Sequence, residues 1–529
     1  MVFFNSTDRK RFLLICVLAA LALGILVRLP YFLTTDFVLG DGGFLVPMIA
    51  AIRKGHYLLP RFITYNTVQF PVAYPALGLY LDALSCDIFG IQPADYARWA
   101  PLILNLGTIA VVVLLAQKIL KNREGVLFFA LIFPLIPRSY EFLIMGGGVT
   151  RSLGCLLNVL ALYYADAIHG RFRAKDIGLC LLFAGGAVAS HMEFALDTLF
   201  LVALIIILHE PNWRGGLTAV FVTSGAVILA SPWWATVLHY HGFGPFLDAK
   251  DTSEWTRNHF VRDLLELKIF WKHYGFFLGG LGALGFIFCL EQKQWLLPAW
   301  YLGAFILTPR QGPTAGSIPI ALLAAVALTR IVKRSVKWLR PHVAFLDETA
   351  LQSAAVVTAA VFLLAPLAYT SIRYYHTSPL AGLTKGERDA MDWIQSHMPT
   401  DAKFVTVSKP GYWQIDYYAE WFPVLTGRYS ATTVQGYEWR PNLEYAKREA
   451  AVDRLKDFQG ADQSRVPALV LWQYPDIPYV AIFDPPRRMI HLAYFLATKR
   501  YETVYNTDDC LVLKRLRLPP ASPGSPARP

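Results

Sequence analysis

The chain has 529 residues, of which 55% are hydrophobic and 16% charged. Soluble globular domains carry about 25% charged and about 45–50% apolar residues, so this composition excludes both an ordinary soluble enzyme and a disordered chain, and it points to a membrane protein. A net charge of +11 suits nucleic acid or a membrane, and the positions of the Lys and Arg residues decide between them.

Apolar stretches of about 20 residues, the length a bilayer demands, recur from Phe12 to about Tyr374 and predict about eleven transmembrane helices. The first, Phe12 to about Thr34, is longer than the h-region of a signal peptide, about 7–15 residues, and lacks a clean cleavage site. The others begin near Arg98, Gly125, Ser152, Ile177, Phe194, Gly216, Ile269, Trp295, Ala315 and Ala350. With a cytoplasmic N-terminus, Arg9, Lys10 and Arg11, then Lys118, Lys121 and Arg123, then Arg171, Arg173 and Lys175, and finally Arg330, Lys333, Arg334, Lys337 and Arg340 all fall inside. The surplus charge is therefore largely a topology signal, and nucleic acid is not expected as a partner. An odd number of spans leaves the C-terminus outside the cytoplasm.

Three outward segments are long. Thr35 to Ala97 holds two semi-amphipathic stretches, Phe44 to Ile52 and Tyr74 to Leu84, suited to lying at the interface. His239 to Lys268 is polar and mixed in charge, and the third segment is the C-terminal region. The expected organisation is a transmembrane domain over 1–376 with a first outer loop at 35–97, an extracytoplasmic α/β domain over 377–515, and a Pro- and Ser-rich disordered tail over 516–529. Within the α/β domain, Gly386 to Met398 and Leu443 to Phe458 read as helices, and Lys403 to Val407, Ala468 to Trp472, Tyr479 to Phe483 and Cys510 to Lys514 as strands. Cys16, Cys155, Cys180 and Cys289 fall in spans as small apolar packers, whereas Cys86 and Cys510 lie outside and leave one disulfide open.

An ionisable group beside a span is costly and by default suggests function. On the outward side that rule selects Asp36 and Asp41 after the first span, Arg138, Glu141 and Arg151 around Gly146-Gly147-Gly148, His191 with Glu193 in a short hairpin, and Arg310 before Gln311-Gly312-Pro313-Thr314. Each has a structural alternative: Asp41 as a turn former, His191 and Glu193 as hairpin caps, Arg310 as a snorkelling anchor, and the glycines as close packing. Together, carboxylates, a His with a Glu, and several Arg suit group transfer from a phosphate-bearing donor. The Arg side chains would bind the leaving phosphate and a carboxylate would take the proton of the attacking hydroxyl. The aromatic segment Gly411 to Phe422 suits core packing or docking more than sugar stacking; if it binds sugar, Asp416, Glu420, Glu438 and Trp439 are the candidates.

The layout resembles the multispanning glycosyltransferases of the C-type fold, which take sugars from polyprenyl-phosphate carriers, such as protein mannosyltransferases and aminoarabinose transferases. The likeness is carried by Arg28 near the end of the first span, the acidic first outer loop, Ile52-Arg53-Lys54-Gly55-His56, Phe70-Pro71-Val72-Ala73-Tyr74-Pro75-Ala76-Leu77, and Ala97-Arg98-Trp99. Gly146-Gly147-Gly148-Val149-Thr150-Arg151 and Glu420 to Arg428 look similar to uncharacterised bacterial members. The resemblance implies that the first-loop carboxylate is the catalytic base, which maps onto Asp41 or, less well, Asp36. The outward set of ionisable residues itself offers Arg310, Arg151 and Arg138 as donor-phosphate ligands, and His191, Glu193 and Glu141 as orienting groups. The usual adjacent acidic pair is missing, since Gly42 follows Asp41, and a W-W-D acceptor motif is absent, which argues against transfer of a whole glycan to Asn.

The expected function is transfer of a sugar from a polyprenyl-phosphate-linked donor to a glycan, lipid or protein acceptor outside the cytoplasm. No cofactor or metal site is assigned, although a divalent metal stays open. The rivals are a transporter or flippase for a lipid-linked or polar solute and a non-catalytic scaffold that binds envelope polymers.

Overall fold

In a computed structural model, residues 6–250, 260–343, 347–409, 411–440 and 444–516 are described. They divide into two units: a helical one, Met1–Thr34, Ala73–Gly242 and Ala249–Leu380, and a second one, Thr35–Val72, Phe243–Asp248 and Ala381–Pro529. The first outer loop, expected to run to residue 97 beside the spans, is thus split at Val72. The expected tail lies outside the described residues except for Leu516, as does the middle of the His239 to Lys268 segment.

In the helical unit, six helices are long and apolar enough to cross a membrane: Asp8–Leu33, Pro93–Leu120, Met192–His209, Val261–Glu291, Gly312–Leu339 and Glu348–Thr377. Trp213–Leu229 with Ser231–His241, bent by 57°, makes a seventh if taken as one span. At the other expected positions stand Arg123–Ile132, Gly148–Ala167, Ala174–Ser190 and Leu296–Leu307. Arg123–Ile132 is short because Pro134 and Pro137 follow it, and neither can donate the backbone hydrogen bond that would continue an α-helix. The chain is a multi-pass membrane protein whose core is built from Leu, Ile, Val, Ala and Phe contributed by most of these helices.

Arg28 is fully buried in this unit. Its guanidinium donates to Asn105 Oδ1 at 2.6 Å, the Pro134 carbonyl at 2.9 Å, Ser139 Oγ at 3.0 Å and the Gly24 carbonyl at 3.2 Å, and its Cζ lies 4.5 Å from the centroid of the Tyr140 ring. Asn105 Nδ2 in turn donates to the Ser139 carbonyl at 3.0 Å. This knot clamps the proline-rich break to two helices and satisfies carbonyls that the break leaves open.

The second unit is an α/β domain. Its five-stranded sheet runs β4 (Tyr429–Ser430), β3 (Lys403–Ser408), β5 (Tyr479–Phe483), β7 (Leu511–Arg515), β6 (Tyr501–Asn506), with β3 parallel to β4 and β5 and the other neighbours antiparallel. Helix Lys385–His397 starts with a capping box in which Thr384 and Glu387 each accept from the other's backbone N–H. Ala468 to Trp472, expected as a strand, is part of helix Val466–Gln473: Pro467 occupies its first turn, and Val466 and Val470, four apart, enter the core beside Leu455 and Ile482. A short apolar run has no period of its own, and packing selected the helix.

Residues 35–72 belong to this unit for visible reasons. Helix Leu45–Lys54 buries Leu45, Met48, Ile49 and Ile52, one face of 3.6-residue period. The hairpin β1 (Phe62–Tyr65) and β2 (Val68–Pro71) turns on Asn66 and Thr67, both at positive φ (51° and 57°). Asn66 reaches the short edge strand, donating to the Ser430 carbonyl at 2.8 Å and accepting from the Ser430 N–H at 2.6 Å. Cys86 and Cys510 are both buried free thiols, so the disulfide left open by the sequence is not formed.

Candidate functional site

In the helical unit, three helix breaks gather polar groups. The first covers the turns after Ile132 up to Gly148, the second is His191 between helices Ala174–Ser190 and Met192–His209, and the third is Thr308 to Gln311 after helix Leu296–Leu307. Broken backbone at membrane depth survives only where protein or a polar cavity surrounds it, so such breaks are natural places for a site. Gly148 needs its missing side chain: a Cβ there would lie 1.9 Å from the Leu143 carbonyl. Gly148 is therefore a point of close backbone approach.

Arg151, in the first turn of helix Gly148–Ala167, is half-buried and donates from Nε to the Phe142 carbonyl at 2.9 Å. Arg138 and the buried Glu141 form an ion pair on the Pro137–Ser139 turn, which packs on the short helix Gly312–Ala315. His191 is buried, its ring 6.3 Å from that of Tyr74 and 5.7 Å from that of Phe194. Burial first, then the charges of Arg151 and Arg310, push its pKa down to about 3. The imidazole in this turn is therefore neutral, and its Nδ1 has no hydrogen-bond partner among the described residues. Arg310 is exposed and forms no ion pair among the described residues. Glu193 is half-buried in the first turn of Met192–His209.

Asp197, one turn beyond Glu193, was missed by the sequence reading. It is buried, accepts from Thr308 Oγ1 at 3.4 Å, and has no partner for Oδ2 among the described residues. A cavity of about 10 Å³, the size of one water, lies beside it, lined also by Thr108, Asn158 and Thr314. The signal was available: an acid inside an otherwise apolar span, four residues from another acid.

The acidic first loop belongs to the second unit. Asp36 is exposed and held bidentately by Arg388, with oxygens 2.9 and 2.7 Å from the two terminal nitrogens. Asp41 is half-buried between Gly40 and Gly42, which take positive φ of 60° and 116°. Glu420 shapes this turn. Its Oε1 accepts from the backbone N–H groups of Gly42 and Phe44, each at 3.0 Å, while the neighbouring Trp421 indole donates to the Gly40 carbonyl at 3.1 Å.

The other weak sugar candidates also lie within the fold of this unit. Asp416 is buried, pairs with buried Lys456 at 2.6 Å, accepts from Ser408 Oγ, and caps the helix Tyr417–Thr426 by accepting from the Ala419 N–H at 3.1 Å. Trp439 is buried and Glu438 half-buried in the turn Tyr437–Trp439. The aromatic segment is mostly core: Tyr417, Tyr418, Trp421 and Phe422 are buried, whereas Tyr412 is exposed. Among the described residues no group of three or more His, Cys, Asp and Glu is disposed to hold a metal ion.

No protein-family model matches the chain, and no curated protein matches it in sequence. Solved structures do match in fold. The archaeal oligosaccharyltransferase AglB from Archaeoglobus fulgidus, solved with an inhibitory peptide and a dolichol-phosphate, gives a TM-score of 0.54 at 15% identity over 94% of this chain and 73% of its own. ArnT from Cupriavidus metallidurans in the apo state gives 0.53 at 14% identity over 96% and 98% of the two chains, and it has also been solved with undecaprenyl phosphate. The mycobacterial arabinofuranosyltransferase AftD gives 0.53 at 14% identity over 96% of this chain and 40% of its own. The chain has the fold of these membrane glycosyltransferases, which corresponds to the C-type fold expected from the sequence.

Proposed function

We propose that the protein is a membrane glycosyltransferase that moves a single sugar from a polyprenyl-phosphate carrier to an extracytoplasmic acceptor. About eleven spans and a cytoplasmic N-terminus complete the reading. The observation that carries it is the placing of Arg151, the buried His191 and Arg310 at three helix breaks of the helical unit. Structures sharing the fold have been solved with a dolichol-phosphate and with undecaprenyl phosphate.

The chemistry follows from charge. A sugar phosphodiester carries one negative charge, and the polyprenyl phosphate released when the anomeric C–O bond breaks carries a second. Arginines fixed beforehand stabilise the leaving phosphate more than the bound donor, which is the condition for lowering the barrier. In this reading Arg310 and Arg151 hold the phosphate, neutral His191 donates one hydrogen bond to it, Glu193 orients the donor, and the Arg138–Glu141 pair keeps the break rigid. The acceptor hydroxyl oxygen bonds to the anomeric carbon on the face opposite the phosphate, inverting it, and its proton passes to a carboxylate. Asp41 is that base by resemblance, and the Arg388 clamp makes Asp36 the weaker choice.

The test is transfer from a panel of radiolabelled undecaprenyl-phosphate sugars by the full chain in membranes. Asp41→Asn should abolish transfer, and Arg310→Ala should lower kcat and kcat/KM for the donor. Full transfer by Asp41→Asn removes the base assignment, and accumulation of unmodified solute in proteoliposomes without a covalent product replaces the transferase with a transporter.

A further inference from the structure

We propose that the second unit carries a separate binding groove for a glycan chain, formed by Tyr429, Arg440, Glu444, Lys447, Tyr474 and Asp476. The groove is open and about 570 Å³ in volume, within the range of ligand sites, about 300–1,000 Å³. It uses none of the residues assigned to transfer, and the inference does not rest on that activity.

The lining decides the ligand class. A sugar hydroxyl donates one hydrogen bond and accepts others, so a saccharide needs donors and acceptors side by side, together with aromatic surface for its C–H faces. The groove supplies both. Lys447 and Asp476 are exposed on its rim, and Arg440 pairs with Glu444 at 3.1 Å. Tyr429 and Tyr474 are half-buried, and the Tyr474 hydroxyl has no partner among the described residues. A groove for a phosphate or nucleic acid would be lined by bases without balancing acids, and one for an apolar helix would lack both.

The groove is also prebuilt. Arg448 stacks with its Cζ 3.9 Å from the Tyr437 centroid, donates to Tyr429 Oη at 2.8 Å and to the Ala431 carbonyl at 2.7 Å, and so fixes the Tyr429 ring. Rigid aromatic and planar groups lose little entropy on binding, which suits weak, repetitive ligands such as polysaccharides.

The experiment uses the full chain in an amphipol free of sugar headgroups, with no lipid donor. Maltohexaose, a mannan hexasaccharide, an arabinan hexasaccharide and an oligogalacturonate are tested by saturation-transfer NMR and calorimetry, with inorganic phosphate and anionic vesicles as controls. At least one hexasaccharide should bind, with an affinity unchanged by added salt. Tyr474→Leu should weaken it by about tenfold, and the rim double variant Lys447→Ala/Asp476→Ala by a similar factor. The rim variant carries the test alone if Tyr474→Leu fails to fold. Binding of none of the four, binding unchanged in the variants, or salt-sensitive binding of phosphate or vesicles in their place overturns the proposal.

Discussion

Glu420 is the residue on which the shape of the acidic first loop depends. One of its carboxylate oxygens takes both the Gly42 and the Phe44 N–H, and the side chain is buried. Hydrogen bonds to a charged acceptor contribute about 1.5–3 kcal/mol each, so removing the carboxylate leaves two donors short of about 3–6 kcal/mol. Water entering the gap restores part of this, leaving a local cost of ~2–4 kcal/mol. At ~1.4 kcal/mol per tenfold, the opening of residues 40–44 should rise about 30- to 1,000-fold in Glu420→Ala. Glu420→Gln keeps a neutral acceptor and should fall at or below the lower end. Hydrogen exchange resolved to the Gly42 and Phe44 amides reads this directly, with helix Lys385–His397 as an internal control. Unchanged exchange at both amides in Glu420→Ala, with the protein folded, would refute the argument.

Further outcomes follow from other buried groups. Arg28→Lys loses the planar fork that serves Asn105, Pro134 and Ser139, and should lower the thermal midpoint in detergent by the equivalent of about 3 kcal/mol or more; a wild-type midpoint counts against the knot. Lys456→Met strands the buried Asp416 carboxylate and should cost about 3–5 kcal/mol, while Lys456→Met/Asp416→Leu should recover more than half in the same melt. Thr67, β-branched and exposed, sits at φ 57° in the hairpin turn, so Thr67→Gly should stabilise by ~0.5–1 kcal/mol, and a loss of stability would contradict the turn assignment. Folding depresses the His191 pKa, so the stability contributed by its neutral ring is complete above the ordinary value of 6.5 and is lost as pH falls toward 3. His191→Gln should therefore flatten the fall of the melting midpoint on acidification, and an unchanged slope would show that His191 is not the group responsible.

Much of the membrane architecture is legible in the sequence because hydropathy is a local property: every expected span begins within about five residues of an observed helix. The length of each helix was less legible. Pro134 and Pro137 cut Arg123–Ile132 short, and the break at Thr308 is tied to Asp197, 111 positions away. The same limit applied to the ionisable residues. Cost in an apolar setting marked Asp41 and His191, the family resemblance marked Arg28 and the aromatic segment marked Glu420, but a motif does not show what a side chain touches. Arg28 serves carbonyls and Glu420 serves backbone amides, roles that no spacing announces.

Composition and the placement of Lys and Arg by themselves determined that this is a multi-pass membrane protein with a C-terminal α/β region, because burial in lipid and the sidedness of charge act residue by residue along the chain. Tertiary structure alone decided that residues 35–72 fold with that region and not with the spans, since the bonds responsible join Asp36 to Arg388, Gly42 to Glu420 and Asn66 to Ser430 across more than 350 positions. It also decided which polar groups are braced inside the protein and which remain open to a ligand. That distinction depends on the partners a folded chain brings within about 3 Å, and no local pattern encodes it.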